Sequence, residues 1–546
     1  MALALTLSLS SKSSHPKIGE KIIQYGTAGF RTLADDLDFV MYRMGLLAVL
    51  RSKSTKAVIG IMITASHNPE QDNGVKLVDP HGEMLNQKWE ELATNLVNVG
   101  DENLESVLLD IIRSENIEIS EQGEVFVGRD TRPSGVPLLN ATLDGIQDLQ
   151  GESRDFGIVT TPMLHYFVDE TNKGREIWVS SYFAKLTKAF KNFCKDISIS
   201  GDSYHPKIVF DGANGVGSIK MEMLANFLGE EFLEVELHNA GKGALNFECG
   251  ADFVKVQQKL PRGLEELKPG DKGVSVDGDA DRVVYFYVDD NNVFHLLDGD
   301  RIASLVAGYI NELLQECKLK LDLGVVQTAY ANGASTKYIT ESLKIPVDCV
   351  STGVKYLHHK ALERDIGVYF EANGHGTVVF KTAAVELIQK VANDQSLSSS
   401  ERKAAAKLDS LLEISNPTVG DALSDILLVE SVLRSKNWSL KDWEAAYTDL
   451  PNRLLKVTVK DKNAVTTVDA GRKCTAPEGL QDEIDKLAQS YPSGRSFVRA
   501  SGTEDAVRIY AESDTQENAN ELAAKVAIKV YEMAAGVGEA PVIPAM

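Results

Sequence analysis

One pattern recurs along the chain and constrains its fold more than any other: a short run rich in Val and Ile meets a Gly-rich or Asp-rich turn, then passes into a helical period. It appears in KIVFDGANGVGSIKMEMLANFLG from Lys207, in LGVVQTAYANGASTKYITESL from Leu323, and in VFVGRDTRPSG with VPLLNATLDGIQDL from Val125. These are βα units. Their alternation over roughly the first 440 residues predicts α/β layers whose chemistry lies in loops at strand ends. The end of the chain departs from this pattern. There FVRAS and AVRIYAES read as strands joined by a tight GTED loop, and a helix is predicted from about Thr515 to Ala534. Leu522, Val526 and Val530 fall on one face of that helix, and Ser513 with Gln516 reads as a capping box at its start. This last part is predicted to be a small α+β domain.

A chain of 546 residues is several times a typical domain of ~100 to 200 residues. The βα pattern restarts near 180, 300 and 440, which predicts domains at 1–180, 181–298, 299–440 and 441–546. The polar stretch NDQSLSSSERKAAAK, from Asn393 to Lys407, reads as an exposed connection or a surface insertion in the third of these. Hydrophobic content of 43% and charged content of 25% match ordinary globular usage. A formal net charge of -22 argues against nucleic acid and anionic membrane as partners, because both recruit clustered Lys and Arg. Small anionic substrates are still compatible, since a few focused cations in a cleft outweigh a diffuse field. The five cysteines, Cys194, Cys249, Cys317, Cys349 and Cys474, are far apart and lack C-x-x-C spacing, so they read as reduced core residues rather than disulfides or zinc ligands. The opening MALALTLSLSSKSS lacks a basic n-region and reads as a short helix, strand or loose terminus. No run approaches the ~20 apolar residues of a membrane span. The expected location is the cytoplasm.

Four segments carry chemistry. In ITASHNPEQDNGVKL, from Ile63 to Leu77, an apolar run ends in small and polar residues and presents the Ser66 hydroxyl at a strand end. Serine is a weak nucleophile alone, so His67 or Lys76 would have to assist it; taken by itself, Ser66 reads rather as the cap of a helix or turn. In SVDGDADRVVYFYVD, from Ser275 to Asp289, Asp277, Asp279 and Asp281 alternate between two strand-like runs. Carboxylates so close repel one another unless a cation sits among them, and hard oxygen ligands suit magnesium. An EF-hand is excluded, because its glycine position would be Arg282 and its closing glutamate position Val288. In FVRASGTEDAVRIYAE, from Phe497 to Glu512, the loop residues Ser501, Gly502 and Thr503 with Arg499 and Arg508 form a phosphate cradle. No Walker A loop is present, so nucleotide hydrolysis is not indicated. In VYFEANGHGTVVF, from Val368 to Phe380, Glu371, Asn373 and His375 sit in a Gly-bearing loop that suits sugar hydroxyls as well as it suits a plain hairpin. DGANGVGS from Asp211 reads as a turn rather than a dinucleotide site.

Together, TASHNP, DGDADR, EANGHG and RASGTED resemble the α-D-phosphohexomutase superfamily, over a span from YGTAGFR at Tyr25 to RIYAE near the C-terminus. The resemblance implies four domains around a central cleft: three α/β domains with mixed sheets and a C-terminal α+β domain of the TATA-binding-protein type. It implies that Ser66 is phosphorylated and contributes, with Asp277, Asp279 and Asp281, to a single Mg2+ site. The loop with Glu371, Asn373 and Gly374, helped by Arg282, would read the sugar. Arg499, Ser501, Gly502, Thr503 and Arg508 would grip the phosphate that is not reacting. Most members resemble the order GTxGxR, GRDTR, then the serine loop; here GRDTR at Gly128 to Arg132 follows Ser66. That rearrangement, with EANGHG, is similar to the eukaryotic branch that interconverts N-acetylglucosamine 6-phosphate and 1-phosphate on the way to UDP-N-acetylglucosamine.

The implied reaction has phosphoserine at Ser66 and a sugar 1,6-bisphosphate as intermediate and primer. His67 and Lys76 are candidates for acid, base or electrostatic clamp, and Arg31 and Arg132 are further cationic candidates. The expected partners are a sugar phosphate and no nucleic acid or membrane, with the chain a monomer or weak oligomer. The nearest alternatives are a glucose or mannose phosphomutase of the same superfamily, and a Mg-dependent sugar phosphatase; a non-catalytic sugar-phosphate binder is a third.

Overall fold

The computed structural model describes residues 7–26, 29–199, 203–501 and 505–543. They form two compact units, the first from residues 1–298, 373–378 and 406–440, the second from 299–372, 379–405 and 441–546.

The first unit contains two five-stranded mixed sheets. In one, Phe30–Leu33, Asp72–Val78, Ile59–Ile63, Glu124–Arg129 and Glu152–Ile158 lie side by side in that order. The first two pairings are antiparallel and the last two parallel. The other sheet repeats this plan with Phe294–Leu297, Val283–Val288, Gly273–Val276, Lys207–Asp211 and Glu234–His238. Its central strands are buried along their whole length, as continuous Val, Ile and Phe runs require when both faces are covered. The helix Asp38–Thr55 is buried on nearly every side. It reaches its neighbour Gly135–Asp148 through glycines: a Cβ on Gly45 would stand 2.2 Å from the Thr142 carbonyl oxygen, and one on Gly145 would stand 2.0 Å from that of Tyr42. Only hydrogen fits at this crossing.

The second unit holds the strands Val347–Val350, Leu323–Thr328 and Ile366–Phe370 of a four-stranded sheet whose last strand is Gly376–Phe380. The pairings around Leu323–Thr328 are parallel. It also holds an antiparallel three-stranded sheet, Asn452–Thr458, Ala506–Glu512 and Arg495–Ala500. Leu522, Val526 and Val530 of the helix Gln516–Met533 share a core with Val498, Val507 and Ile509 of that sheet, joined by Leu480 and Ile484 of the helix Leu480–Gln489. The fold class is α/β with mixed sheets, ending in an α+β part.

The structure corrects four local expectations. The stretch Asn393–Lys407 is not one exposed connection, because the helix Ser399–Ile414 begins inside it. Ser398 accepts from the Glu401 N–H and donates to its carboxylate, and Ala404, Ala405, Leu408 and Leu411 are buried at helical spacing. The last helix is capped by Thr515, whose hydroxyl accepts from the Asn518 N–H at 3.2 Å, and not by a Ser513–Gln516 box. Ser513 donates instead to the Pro492 carbonyl. The segment from Leu7 to His15 is anchored rather than loose: it makes a 3-10 turn at Lys12–Ser14 and seats a buried His15 between Asp38 (2.7 Å) and Asp144 (3.0 Å). All five cysteines are free thiols, but Cys349 is only half-buried.

Candidate active site

Ser66 stands three residues beyond the strand Ile59–Ile63 and adopts φ 51°, the left-handed region that a non-glycine residue enters at a cost of ~1 to 2 kcal/mol. The surroundings hold it there. Its N–H donates to Thr64 Oγ1 at 3.0 Å, and Thr64 donates in turn to Asp130 at 2.7 Å. Its carbonyl accepts from Arg132 Nη2 at 3.1 Å and from Asn246 Nδ2 at 2.9 Å. Arg132 is buried on Asp130 and also donates to the carbonyls of Asn68, Pro69 and Asp72. It is therefore a clamp on the serine loop and not a cation facing substrate.

The hairpin between Gly273–Val276 and Val283–Val288 carries the aspartates. Asp277, Asp279 and Asp281 are buried, and each offers a carboxylate oxygen within 4.8 Å of the others. Ser66 Oγ, itself fully buried, donates to Asp277 Oδ2 at 2.6 Å. Lys76 Nζ lies 3.1 Å from Asp279 and 3.3 Å from Asp281. Burial, with Asp281 and Asp279 alongside, pushes the Asp277 carboxyl well above the usual range. Burial acts the same way on Asp281, yet Lys76 and His375 outweigh it and hold that carboxyl well below. Lysine alone therefore balances only part of the charge. The Oδ1 oxygen of Asp279 is buried without a hydrogen-bond partner. A hard divalent cation fits this donor set: three close carboxylates, buried Oδ1 oxygens of Asp279 and Asp281 without a hydrogen-bond partner, and a serine oxygen beside them.

His67 Nδ1 is 3.4 Å from Ser66 Oγ. Burial, then Arg282 and Arg31, lower its pKa to about 3, so the ring is neutral near pH 7. Arg282 reaches Asp252 at 3.5 Å and stands 3.8 Å from Asp277 and 3.9 Å from Asp281. Arg31 is one of the charges felt by all three aspartates' surroundings, with Asp279 the strongest of its partners. From the glycine-bearing loop, His375 Nδ1 lies 3.4 Å from Asp281, and Asn373 Oδ1 accepts from the His375 N–H at 3.0 Å. Gly374 has φ 88°, its carbonyl accepts from the Val283 N–H, and a Cβ there would fall 1.9 Å from the Val283 carbonyl oxygen. Gly374 thus serves backbone packing against the aspartate hairpin.

Glu371 and the arginine cradle belong to the second unit. Arg499 and Arg508 are directly opposite one another across the hairpin, so their side chains share a face. Ser501 donates its N–H to the Ala506 carbonyl at 2.8 Å, while its Oγ is buried without a hydrogen-bond partner. Gly502 and Thr503 lie outside the described residues. Arg495, absent from the sequence reading, forks onto Glu512 at 2.8 and 3.0 Å and onto the carbonyls of Ala329 and Ala331, fixing the base of this hairpin. Asn246 and Thr161, which donates to Asp279 at 2.6 Å, were invisible in the sequence, and Thr64 stood there only as a letter of TASHNP.

A strained seryl hydroxyl facing a buried aspartate triplet, on paired mixed sheets, defines a phosphohexomutase. Family matches cover most of the chain: phosphoglucomutase/phosphomannomutase alpha/beta/alpha domain I at 46–104 and 101–181, phosphoacetylglucosamine mutase AMG1 domain II at 177–284 and domain III at 298–438, and the phosphoglucomutase/phosphomannomutase C-terminal domain at 454–529. The human phosphoacetylglucosamine mutase is 51% identical over 96% of this chain and 97% of its own length. The Aspergillus fumigatus N-acetylphosphoglucosamine mutase, solved in complex with GlcNAc-6P and magnesium, superposes with a TM-score of 0.91 at 44% identity, covering 96% of this chain and 98% of that one. A variant of the same fungal enzyme, solved with glucose 1,6-bisphosphate, gives 0.89 at 44% identity over the same shares. The chain belongs to the phosphoacetylglucosamine mutase family.

Proposed function

We propose that this chain interconverts N-acetylglucosamine 6-phosphate and N-acetylglucosamine 1-phosphate through a phosphoserine at Ser66 and a sugar 1,6-bisphosphate, as a step toward UDP-N-acetylglucosamine. The observation that carries this reading is the fully buried Ser66 hydroxyl, held at φ 51° and directed at Asp277 of the triplet. In the forward half-reaction the free sugar hydroxyl bonds to the phosphorus of phospho-Ser66, the P–Oγ bond breaks, and the hydroxyl proton passes to a nearby base. Neutral His67 and the carboxylates are the acceptors beside Oγ. The bisphosphate then turns over and returns its other phosphate to Ser66.

Asp277, Asp279 and Asp281, with an oxygen at Ser66, would hold one Mg2+, which when bound neutralises charge on the transferring group. Lys76 supplies fixed positive charge at the same place. Glu371, Asn373, Gly374 and Arg282 are assigned to the sugar, and Arg499, Ser501, Gly502, Thr503 and Arg508 to the non-reacting phosphate. The relatives with bound GlcNAc-6P, magnesium and glucose 1,6-bisphosphate support a sugar phosphate and magnesium as the ligands. Segments 1–180, 181–298, 299–440 and 441–546 each carry one of these loops. No helix of the described residues is long and apolar enough to cross a membrane. The acidic charge and the free thiols support a cytoplasmic enzyme that acts without nucleic acid, and a monomer or weak oligomer is proposed with it.

Intact mass before and after incubation with glucosamine-type and glucose-type 1,6-bisphosphates, followed by mapping, tests the phosphoserine. One added phosphate at Ser66, absent in Ser66→Ala, is expected; none at Ser66 overturns the reading. A higher kcat/KM for the N-acetylated phosphate than for glucose 6-phosphate is expected, and equal values would indicate a general hexose phosphomutase. Steady release of inorganic phosphate without a bisphosphate primer would indicate a phosphatase.

A further inference from the structure

The protein meets Asp277 and Asp281 at both carboxylate oxygens and Asp279 at one. Asp277 Oδ1 accepts from the N–H groups of Asp281 (3.1 Å) and Arg282 (3.2 Å), and Asp281 Oδ2 meets Lys76 at 3.3 Å. Asp279 is held at one carboxylate oxygen and at its backbone carbonyl. Its Oδ2 accepts from Thr161 Oγ1 at 2.6 Å and from Lys76 Nζ at 3.1 Å, its backbone carbonyl accepts from the Thr161 N–H at 3.2 Å, and Oδ1 is buried without a hydrogen-bond partner, as is Asp281 Oδ1, which has His375 at 3.4 Å.

We propose that Thr161 is a positioning residue for the divalent cation: by holding Oδ2 and the carbonyl of Asp279, it turns Oδ1 toward the cation. This rests on the reading of the triplet as a cation site. Thr161 suits the role because it cannot move independently. It is the first residue of the helix Thr161–Asn172, is 1% exposed, and follows Thr160, which caps the helix by accepting from the Met163 N–H. Its own N–H is one of the donors that a helix start leaves unpaired, and Asp279 satisfies it. The positive end of the helix dipole favours the carboxylate in its charged form. Lys76 cannot substitute, since it divides its ammonium between Asp279 and Asp281 on a flexible stem. Partners that orient a metal ligand in this way are worth about 10- to 100-fold in metal affinity.

The test uses Mn2+ as probe on the full chain, with binding to Thr161→Val, Thr161→Ala and Thr161→Ser measured by electron paramagnetic resonance, and kcat and KM followed against Mn2+ concentration. Valine keeps the shape and removes the donor. Mn2+ binding weakened about tenfold or more is expected in Thr161→Val, with kcat largely recovered at saturating Mn2+, sugar-phosphate KM little changed, and wild-type affinity in Thr161→Ser. If valine prevents folding, the alanine variant decides by the same readings. Affinity within twofold of wild type in a folded valine or alanine variant overturns the proposal and leaves the cation site standing. A wild-type chain that binds Mn2+ no better than Asp279→Asn overturns the cation reading itself.

Discussion

At the scale of the residue, the serine loop shows strain sustained by its surroundings. Ser66 at φ 51° persists because Arg132 and Asn246 hold its carbonyl and Thr64 holds its N–H. Lysine in place of Arg132 keeps the charge but loses the planar fork that reaches several carbonyls at once. Arg132→Lys is expected to lower kcat about 10- to 100-fold with KM nearly unchanged, because sub-ångström displacement of a nucleophile is costly in the transition state alone; steady-state kinetics would show it. His67 adds a second residue-scale expectation. With its pKa lowered to about 3 by burial and by Arg282 and Arg31, it does not titrate between pH 5 and 8. The kcat/KM profile over that range should keep its shape in His67→Gln, and disappearance of an inflection near pH 6 to 7 would count against a neutral ring.

Among the elements, the helix Ala422–Lys436 shows how an ordered part can be anchored by charge. Glu430, fully buried, pairs with Lys272, accepts from the Tyr204 hydroxyl at 2.9 Å and receives the Tyr285 hydroxyl at 3.5 Å. Removing one partner of such a pair strands the other in a medium that cannot solvate it. Glu430→Ala is expected to cost about 3 to 5 kcal/mol, read as a lowered urea midpoint. The βα units and the final hairpin were legible from periodicity, since a Val and Ile run meeting a glycine turn has few other uses. The helix inside Asn393–Lys407 was not, because its Ser and charged residues match a loop by composition while Ala404, Ala405, Leu408 and Leu411 keep a buried face. The cap of the last helix was also misplaced: Thr515 and Ser513 carry equivalent hydroxyls, and only the path of the chain past Pro492 decides which one faces the helix start.

For the whole molecule, two histidines give pH dependences of opposite sign. His165 is buried with its pKa lowered to about 4, chiefly by burial, against an unfolded value of 6.5. Its contribution to stability is full above pH 6.5 and is lost as pH falls toward 4, by at most about 1.4 kcal/mol per pH unit. Urea midpoints at pH 7.5 and 5 should fall less in His165→Asn than in wild type; an equal fall would show that His165 is not the group responsible. For His15, burial alone would lower the pKa, but Asp144 and Asp38 outweigh it and raise it above 6.5. Its contribution is full below pH 6.5 and lost as pH rises through the folded value, so His15→Gln should remove stability at pH 6 more than at pH 8.

The sequence by itself determined the α/β class and the order of the loops, and it marked Ser66, the three aspartates and the paired arginines as candidates for phosphoryl transfer. Those features are local, since a strand, a tight turn and a set of charges within fifteen residues are written in adjacent letters. Only the tertiary structure decided which distant groups serve them. Ser66 and Asp277 are 211 positions apart and Thr161 and Asp279 are 118 apart, so their contacts depend on how sheets and helices stack. The same packing turned Arg132 from a candidate substrate cation into a buried clamp, because burial belongs to the fold and not to the residue.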